Sequence, residues 1–143
     1  MIVYFDTSAF LPLLVEEPGS TVALRLWREA HHVASSRLIV AEAAAALAQG
    51  MRMGRLTPEE HDVLQQDVAR LARELHLIDV TAEIIEQAAA TAITRGLRGY
   101  DAVHLATALQ LAGEDLVLAA GDRALLRAAR AEGLHIVDTA GTD

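Results

Sequence analysis

Strand-sized apolar runs alternate with helical stretches along the whole chain, and no two runs are joined by the short turn that signals a hairpin. The runs are Ile2-Val3-Tyr4-Phe5, Val33-Ala34-Ser35, Leu77-Ile78-Asp79-Val80, Leu116-Val117-Leu118-Ala119-Ala120 and His135-Ile136-Val137. With the helical patterns between them the order reads β-α-α-β-α-α-β-α-α-β-α-β. Alternation of this kind implies an α/β fold, a parallel sheet with helices on both faces. No repeat, low-complexity stretch or linker interrupts it, so 143 residues are expected to form a single domain over 1–143.

Helix signals set the expected boundaries. A short helix over 7–15 ends at the breaker cluster Glu16-Glu17-Pro18-Gly19, and a second over 20–30 has Val22, Leu24, Leu26 and Trp27 on its apolar side. Ser35-Ser36 offers a cap for a helix over 38–48, and Gly50-Met51-Arg52-Met53-Gly54-Arg55 reads as a weakly basic corner. Thr57-Pro58-Glu59-Glu60 combines a cap, a proline at the first helical position and first-turn acids. The helix it opens is expected to bury Val63, Leu64, Val68, Leu71 and Leu75. Thr81 caps a helix that stops at Arg95-Gly96, a largely apolar helix follows through Leu109, and a last one over 123–131 closes at Gly133.

Composition removes several function classes. The chain has no cysteine, which rules out disulfides and thiolate-held metals and suits a reducing compartment. The start lacks a basic signal-peptide region and its apolar run breaks at Asp6, so the expected location is cytoplasmic; no apolar run reaches the roughly 20 residues of a membrane span. A net charge of −8 argues against a broad cationic surface, so contact with nucleic acid must be local or metal-mediated. Aromatics make up 3%, too few for a base-stacking face.

Four acids occupy unusual places. Asp6 closes the first strand, and Asp122 closes the fourth after Gly121. Ligands of parallel α/β sheets bind beyond the carboxyl ends of the strands, at the point where strand order reverses. Glu42 has Leu38, Ile39, Ala45 and Ala46 as its helical neighbours, so no polar stripe accommodates it and it is expected to face inward. Asp101 lies in the first turn of a helix that is apolar on nearly all sides, with Arg98 and His104 three residues away on either side. The plainer roles are an N-cap for Asp6, a solvent-edge position for Glu42 and helix-dipole complementation for Asp101. Four carboxylates in one pocket repel one another and call for cations, and oxygen-only ligands suit Mg²⁺ or Mn²⁺. Such a site favours phosphodiester hydrolysis, with Arg98 and Arg123 as candidates to meet neighbouring phosphates, although a surface arginine with no special role is the plainer reading of each. An aspartyl-nucleophile phosphatase would want a second acid where Ser8 stands, and a receiver domain would need a lysine, which the chain lacks.

Asp6-Thr7-Ser8-Ala9, the isolated Glu42, Arg98-Gly99-Tyr100-Asp101-Ala102-Val103-His104-Leu105-Ala106-Thr107-Ala108 and Gly121-Asp122-Arg123-Ala124-Leu125 resemble the PIN-domain family, and specifically its small bacterial VapC-like toxin ribonucleases. The resemblance implies a three-layer fold with strand order 3-2-1-4-5 and an Mg²⁺- or Mn²⁺-dependent endoribonuclease. It also implies a homodimer and a cognate antitoxin that wraps the toxin and blocks its site. By motif, Asp6, Glu42, Asp101 and Asp122 would be the catalytic, metal-site acids. Asp6 and Asp101 would be the main ligands, Glu42 would bind metal or orient water, and Asp122 would aid a second ion. Ser8 could hydrogen-bond a site carboxylate, and His104 reads as a packing or supporting residue rather than a general base. Ala120 departs from the many relatives that carry Ser or Thr there. The alternative is a degenerate PIN domain that binds RNA or protein without cutting. Asp79 and Asp138 follow strands expected at the sheet edges and read as solvated turn acids. The dimer surface is expected within 36–75, at exposed apolar residues such as Met51, Met53 and Leu56.

Overall fold

In the computed structural model, which describes residues 1–113 and 115–141, the strands are β1 (Ile2–Phe5), β2 (His32–Ser36), β3 (His76–Ile78), β4 (Leu116–Ala120) and β5 (His135–Asp138). They form one parallel sheet in the order β3-β2-β1-β4-β5. The helices are α1 (Thr7–Phe10), α2 (Ser20–Glu29), α3 (Leu38–Arg52), α4 (Pro58–Glu74), α5 (Ala82–Arg95), α6 (Gly99–Gln110) and α7 (Arg123–Ala131).

β1 is central and buried on both faces, which is why its sequence is apolar throughout rather than alternating. Val3 and Phe5 point into one layer with Phe10, Leu26, Ile39 and Val68, from α1 to α4. Tyr4 points into the other with Ile84, Leu105 and Leu125, from α5 to α7. The result is three layers, with the reversal of strand order between β1 and β4. α6 buries every residue from Asp101 to Ala108, and its alanines let it sit close to the sheet. Gly96 takes a left-handed conformation (φ 66°) that ends α5 and turns the chain, so that Leu97 is buried and Arg98 opens α6.

Several expected boundaries shift, each for a local reason. The helix expected over 7–15 is α1 followed by a 3-10 turn, Leu11–Leu13, because Pro12 has no N–H to continue the α pattern. The corner expected from Gly50 begins later: α3 runs through Arg52, and Leu56 folds back so that its N–H reaches the Gly50 carbonyl at 3.3 Å. The turn residue is instead Gly54, with φ 77°. The third strand is His76–Ile78, ending before Asp79. Val63 is 57% exposed, since the inner face of α4 is the row Leu64, Val68, Leu71 and Leu75, one position away. Met51 and Leu56 are half-buried, and only Met53 of the three named for a dimer surface is exposed. Among the described residues no helix is long and apolar enough to cross a membrane.

Candidate active site

The carboxyl ends of β1 and β4 are stitched together by one serine. Asp6 stands at the N-cap of α1 in extended backbone, and its Oδ2 accepts from the Ser8 N–H at 3.1 Å and the Ser8 hydroxyl at 2.5 Å. The Ser8 hydroxyl oxygen in turn accepts from the Gly121 N–H at 2.8 Å, and the Asp6 N–H donates to the Ala119 carbonyl at 3.0 Å. Asp122 then begins α7, its Oδ1 accepting from the Leu125 N–H at 3.0 Å. The capping role read from sequence for Asp6 holds here for both strand-end acids, and each keeps a carboxylate oxygen for the crevice.

Two nitrogen-bearing side chains gather the four acids. Arg98 donates from Nε to Asp101 Oδ2 and from Nη2 to Asp122 Oδ2, both at 2.9 Å. His104 Nε2 lies 2.6 Å from Glu42 Oε1 and 3.7 Å from Asp6 Oδ1. Glu42 Oε1 also accepts from the Thr7 hydroxyl at 2.7 Å. Asp6 and Asp101 are buried and Glu42 is half-buried, so Glu42 does turn inward despite its place on an alanine-rich helix. Asp79 and Asp138 lie elsewhere, on exposed edges: Asp79 pairs with Arg37, and Asp138 Oδ1 accepts from the Ala140 N–H.

Burial and neighbouring charge divide the titrating groups. Burial raises the pKa of Asp101 above the usual aspartate value; Arg98 opposes this, and the charges on Asp6 and Asp122 add to the rise. For Glu42, burial works upward, but the bonds from His104 and Thr7 and the His104 charge outweigh it and bring the carboxyl below its ordinary value. Burial works against a charged His104, yet the Glu42 bond and the charges of Asp6, Glu42 and Asp101 lift its pKa. Tyr4 is held firmly in its phenol form, by burial first and by the Asp6 charge second.

Tyr4, Thr7 and the supporting role of His104 toward Glu42 complete the constellation. The Ser36 N–H donates to the Tyr4 hydroxyl at 3.1 Å, and that hydroxyl lies 2.7 Å from His104 Nδ1. The ring therefore has both nitrogens engaged and no exposed surface. The signal available in the sequence was a lone phenol in an apolar central strand and a histidine in a buried helix, two groups that need partners.

The donor set is all oxygen, with hydroxyls beside carboxylates, and it matches a hard divalent cation. Asp101 carries the supporting observation, because a buried carboxyl raised by two like charges is offset only by Arg98, a side chain 62% exposed. Among the described residues, no three acidic or histidine side chains are already set around a cation-sized space. A bound cation would compete with Arg98 for the carboxylates of Asp101 and Asp122.

A parallel sheet in this order with acids at the ends of β1 and β4 is the PIN arrangement, and the model of the PIN domain family matches residues 3–131. The chain belongs to the PIN domain family, as a VapC-like member. It is 39% identical over 135 residues to ribonuclease VapC49 of Mycobacterium tuberculosis (strain ATCC 25618 / H37Rv), an overlap that covers 94% of either chain. Among solved structures it shares its fold with PAE2754 from Pyrobaculum aerophilum (TM-score 0.72, 22% identity, 97% of this chain and 85% of that one). It also shares its fold with a toxin-antitoxin complex from Klebsiella pneumoniae (TM-score 0.61, 20% identity, 84% of this chain and 86% of that one).

Proposed function

We propose that the protein is a divalent-metal-dependent endoribonuclease that hydrolyses RNA phosphodiester bonds, the toxin of a toxin-antitoxin pair. The observation that carries this is the convergence of Asp6, Asp101, Asp122 and Glu42 on one crevice through Arg98 and His104. The 39% identity to ribonuclease VapC49 supports the substrate class. Asp6, Asp101, Asp122 and Glu42 are the residues that would hold Mg²⁺ or Mn²⁺, Asp6 and Asp101 as the main pair. When bound, the ion offsets charge at the scissile phosphoryl group and makes water a better nucleophile. Ser8 fixes the Asp6 carboxylate, and Thr7 and His104 fix the Glu42 carboxylate to orient the attacking water. Arg98, once displaced from Asp101 and Asp122, is positioned to take up negative charge on the substrate.

The antitoxin is a partner by analogy with the toxin-antitoxin complex that shares the fold. A homodimer and a cytoplasmic location complete the proposal, and 1–143 acts as one PIN unit. The dimer has apolar material available in Met53 and Val63, and in Ile85 and Ile93 on α5.

A second reading, a PIN domain that binds RNA or protein without cutting, is favoured by one observation: a guanidinium already spans two of the four acids. Incubating the purified protein with RNA and Mn²⁺ beside Asp6→Asn decides between them. Cleavage that the variant abolishes and chelation stops supports the nuclease. Equal absence of cleavage in both, across several RNAs, supports the binding module.

A further inference from the structure

One wall beside this crevice is rich in arginine. α7 runs from Arg123 to Ala131 with three arginines and no acid, in a chain whose net charge is −8. Arg123, Arg127 and Arg130 are all exposed and follow one another at helical spacing on its outer face. Helix-dipole complementation explains Arg130, in the last turn. It does not explain Arg123, which stands at the positive end of the helix, where a cation is disfavoured. Across a hollow of about 450 Å³, Arg95 at the end of α5 faces the same helix, and Arg95 and Arg127 both line the hollow. Its remaining wall includes Ala124, Ala128 and Ala131, small side chains that leave the space open. Arg95 is paired with Glu132 at 2.6 Å; Arg127 and Arg123 have no ion pair among the described residues.

The hollow adjoins the crevice. Gly96 lies two residues before Arg98, and Ala124 two residues after Asp122. Arg127 stands roughly 7.5 Å along the helix axis from Asp122, five residues at the usual rise. An anionic chain whose scissile phosphate sits among the acids can therefore continue over α7, meeting cations where the rest of the protein would repel it.

We propose that the hollow between the end of α5 and α7, with Arg127 as its unpaired cation, and Arg123 one turn earlier on the exposed side of α7, between the hollow and Asp122, together hold the sugar-phosphate backbone of the RNA next to the bond that is cut. This rests on the nuclease reading above. It supplies the local phosphate binding that an acidic protein needs, and because the arginines meet phosphate they impose no sequence preference.

The test is equilibrium binding of a fluorescently labelled single-stranded RNA of mixed sequence to the Asp6→Asn protein across a salt series. Removing one cation that neutralises a phosphate of a single strand flattens the plot of log K against log salt by about 0.7. Arg123→Ala with Arg127→Ala is therefore expected to flatten it by about 1.4, and Arg127→Gln alone, which keeps a long stem on the helix, by about 0.7. Lysine at both positions keeps the parent slope. Arg25→Ala with Arg28→Ala, the same change of charge on α2 in the opposite layer, also keeps it. A parent slope in the Arg123 and Arg127 variants overturns the site, and so does equal flattening in the α2 pair, which would assign the effect to net charge. An Asp6→Asn parent with no salt-dependent RNA binding overturns the nuclease reading together with the site. A parent that binds but is indifferent to Arg123 and Arg127 overturns the site alone.

Discussion

His104 is the residue on which the site's internal order depends, although it touches no place where substrate would lie. It joins the backbone of β2, through Tyr4, to the carboxylate of Glu42. Tyr4→Phe removes the acceptor of the buried Ser36 N–H and the partner of His104 Nδ1, and should cost about 1–3 kcal/mol by urea denaturation. The His104–Glu42 pair also sets a pH dependence. His104 has a raised pKa in the fold, so its contribution to stability is complete below the ordinary histidine value and is lost as pH climbs past the raised one. Glu42 has a lowered pKa, so its contribution is present above the ordinary glutamate value and is lost as pH falls toward the lowered one. The melting temperature of metal-free protein should thus decline on both sides, and His104→Gln should remove the alkaline decline. Asp101→Asn should do the reverse of most core substitutions. Its carboxyl is raised by burial and by Asp6 and Asp122, so the neutral amide should keep or increase the melting temperature while RNA cleavage is lost. The placing of Asp6, Glu42 and Asp101 was legible because Asp6 closes an apolar strand, Glu42 has only apolar helical neighbours and Asp101 opens a helix apolar on nearly all sides. Tyr4, Thr7 and His104 were not legible as their partners, because the separations of 100 and 62 residues from Tyr4 to His104 and from Glu42 to His104 leave no mark in any window.

Among the elements, those with chemical end signals were read correctly and those shaped by packing were not. Thr57 forms a full capping box with Glu60, as its sequence announced, and Thr57→Ala should cost about 1 kcal/mol in a urea titration without changing RNA cleavage. Gly96 and Gly133, at the ends of α5 and α7, likewise sit in left-handed backbone. The end of α3 misled because Gly50 looks like a stop, whereas its missing side chain serves the close approach of Leu56, whose nearest atom would lie 3.3 Å from a Cβ there. α4 misled at Val63 for a related reason: with two valines and several leucines to choose from, periodicity alone does not say which of two adjacent rows faces inward. Strand order shows the same boundary. Alternation gives parallel strands and helices on both faces, but the 3-2-1-4-5 order came from resemblance, since no single strand records which neighbour it will meet.

For the molecule as a whole, the site is a meeting of distant chain segments held by a charge balance that folding alone leaves strained. A divalent ion that binds the folded state only should relieve it: at a hundredfold excess of Mn²⁺ over its dissociation constant the gain is about 2.7 kcal/mol, read as a higher melting temperature that chelator reverses. Asp6→Asn and Asp101→Asn should each reduce that gain, while Asp79→Asn, on the far edge, should not. The placement of β1 between β2 and β4 has a further effect, on how the molecule is made. β1 waits for a neighbour encoded more than a hundred residues later, between Leu116 and Ala120, and Asp122 follows that neighbour. Until β4 has been made, the emerging polypeptide has a bare edge along β1 and lacks both the Gly121 N–H that anchors Ser8 and the Asp122 carboxylate, so the crevice cannot assemble ahead of that distant stretch.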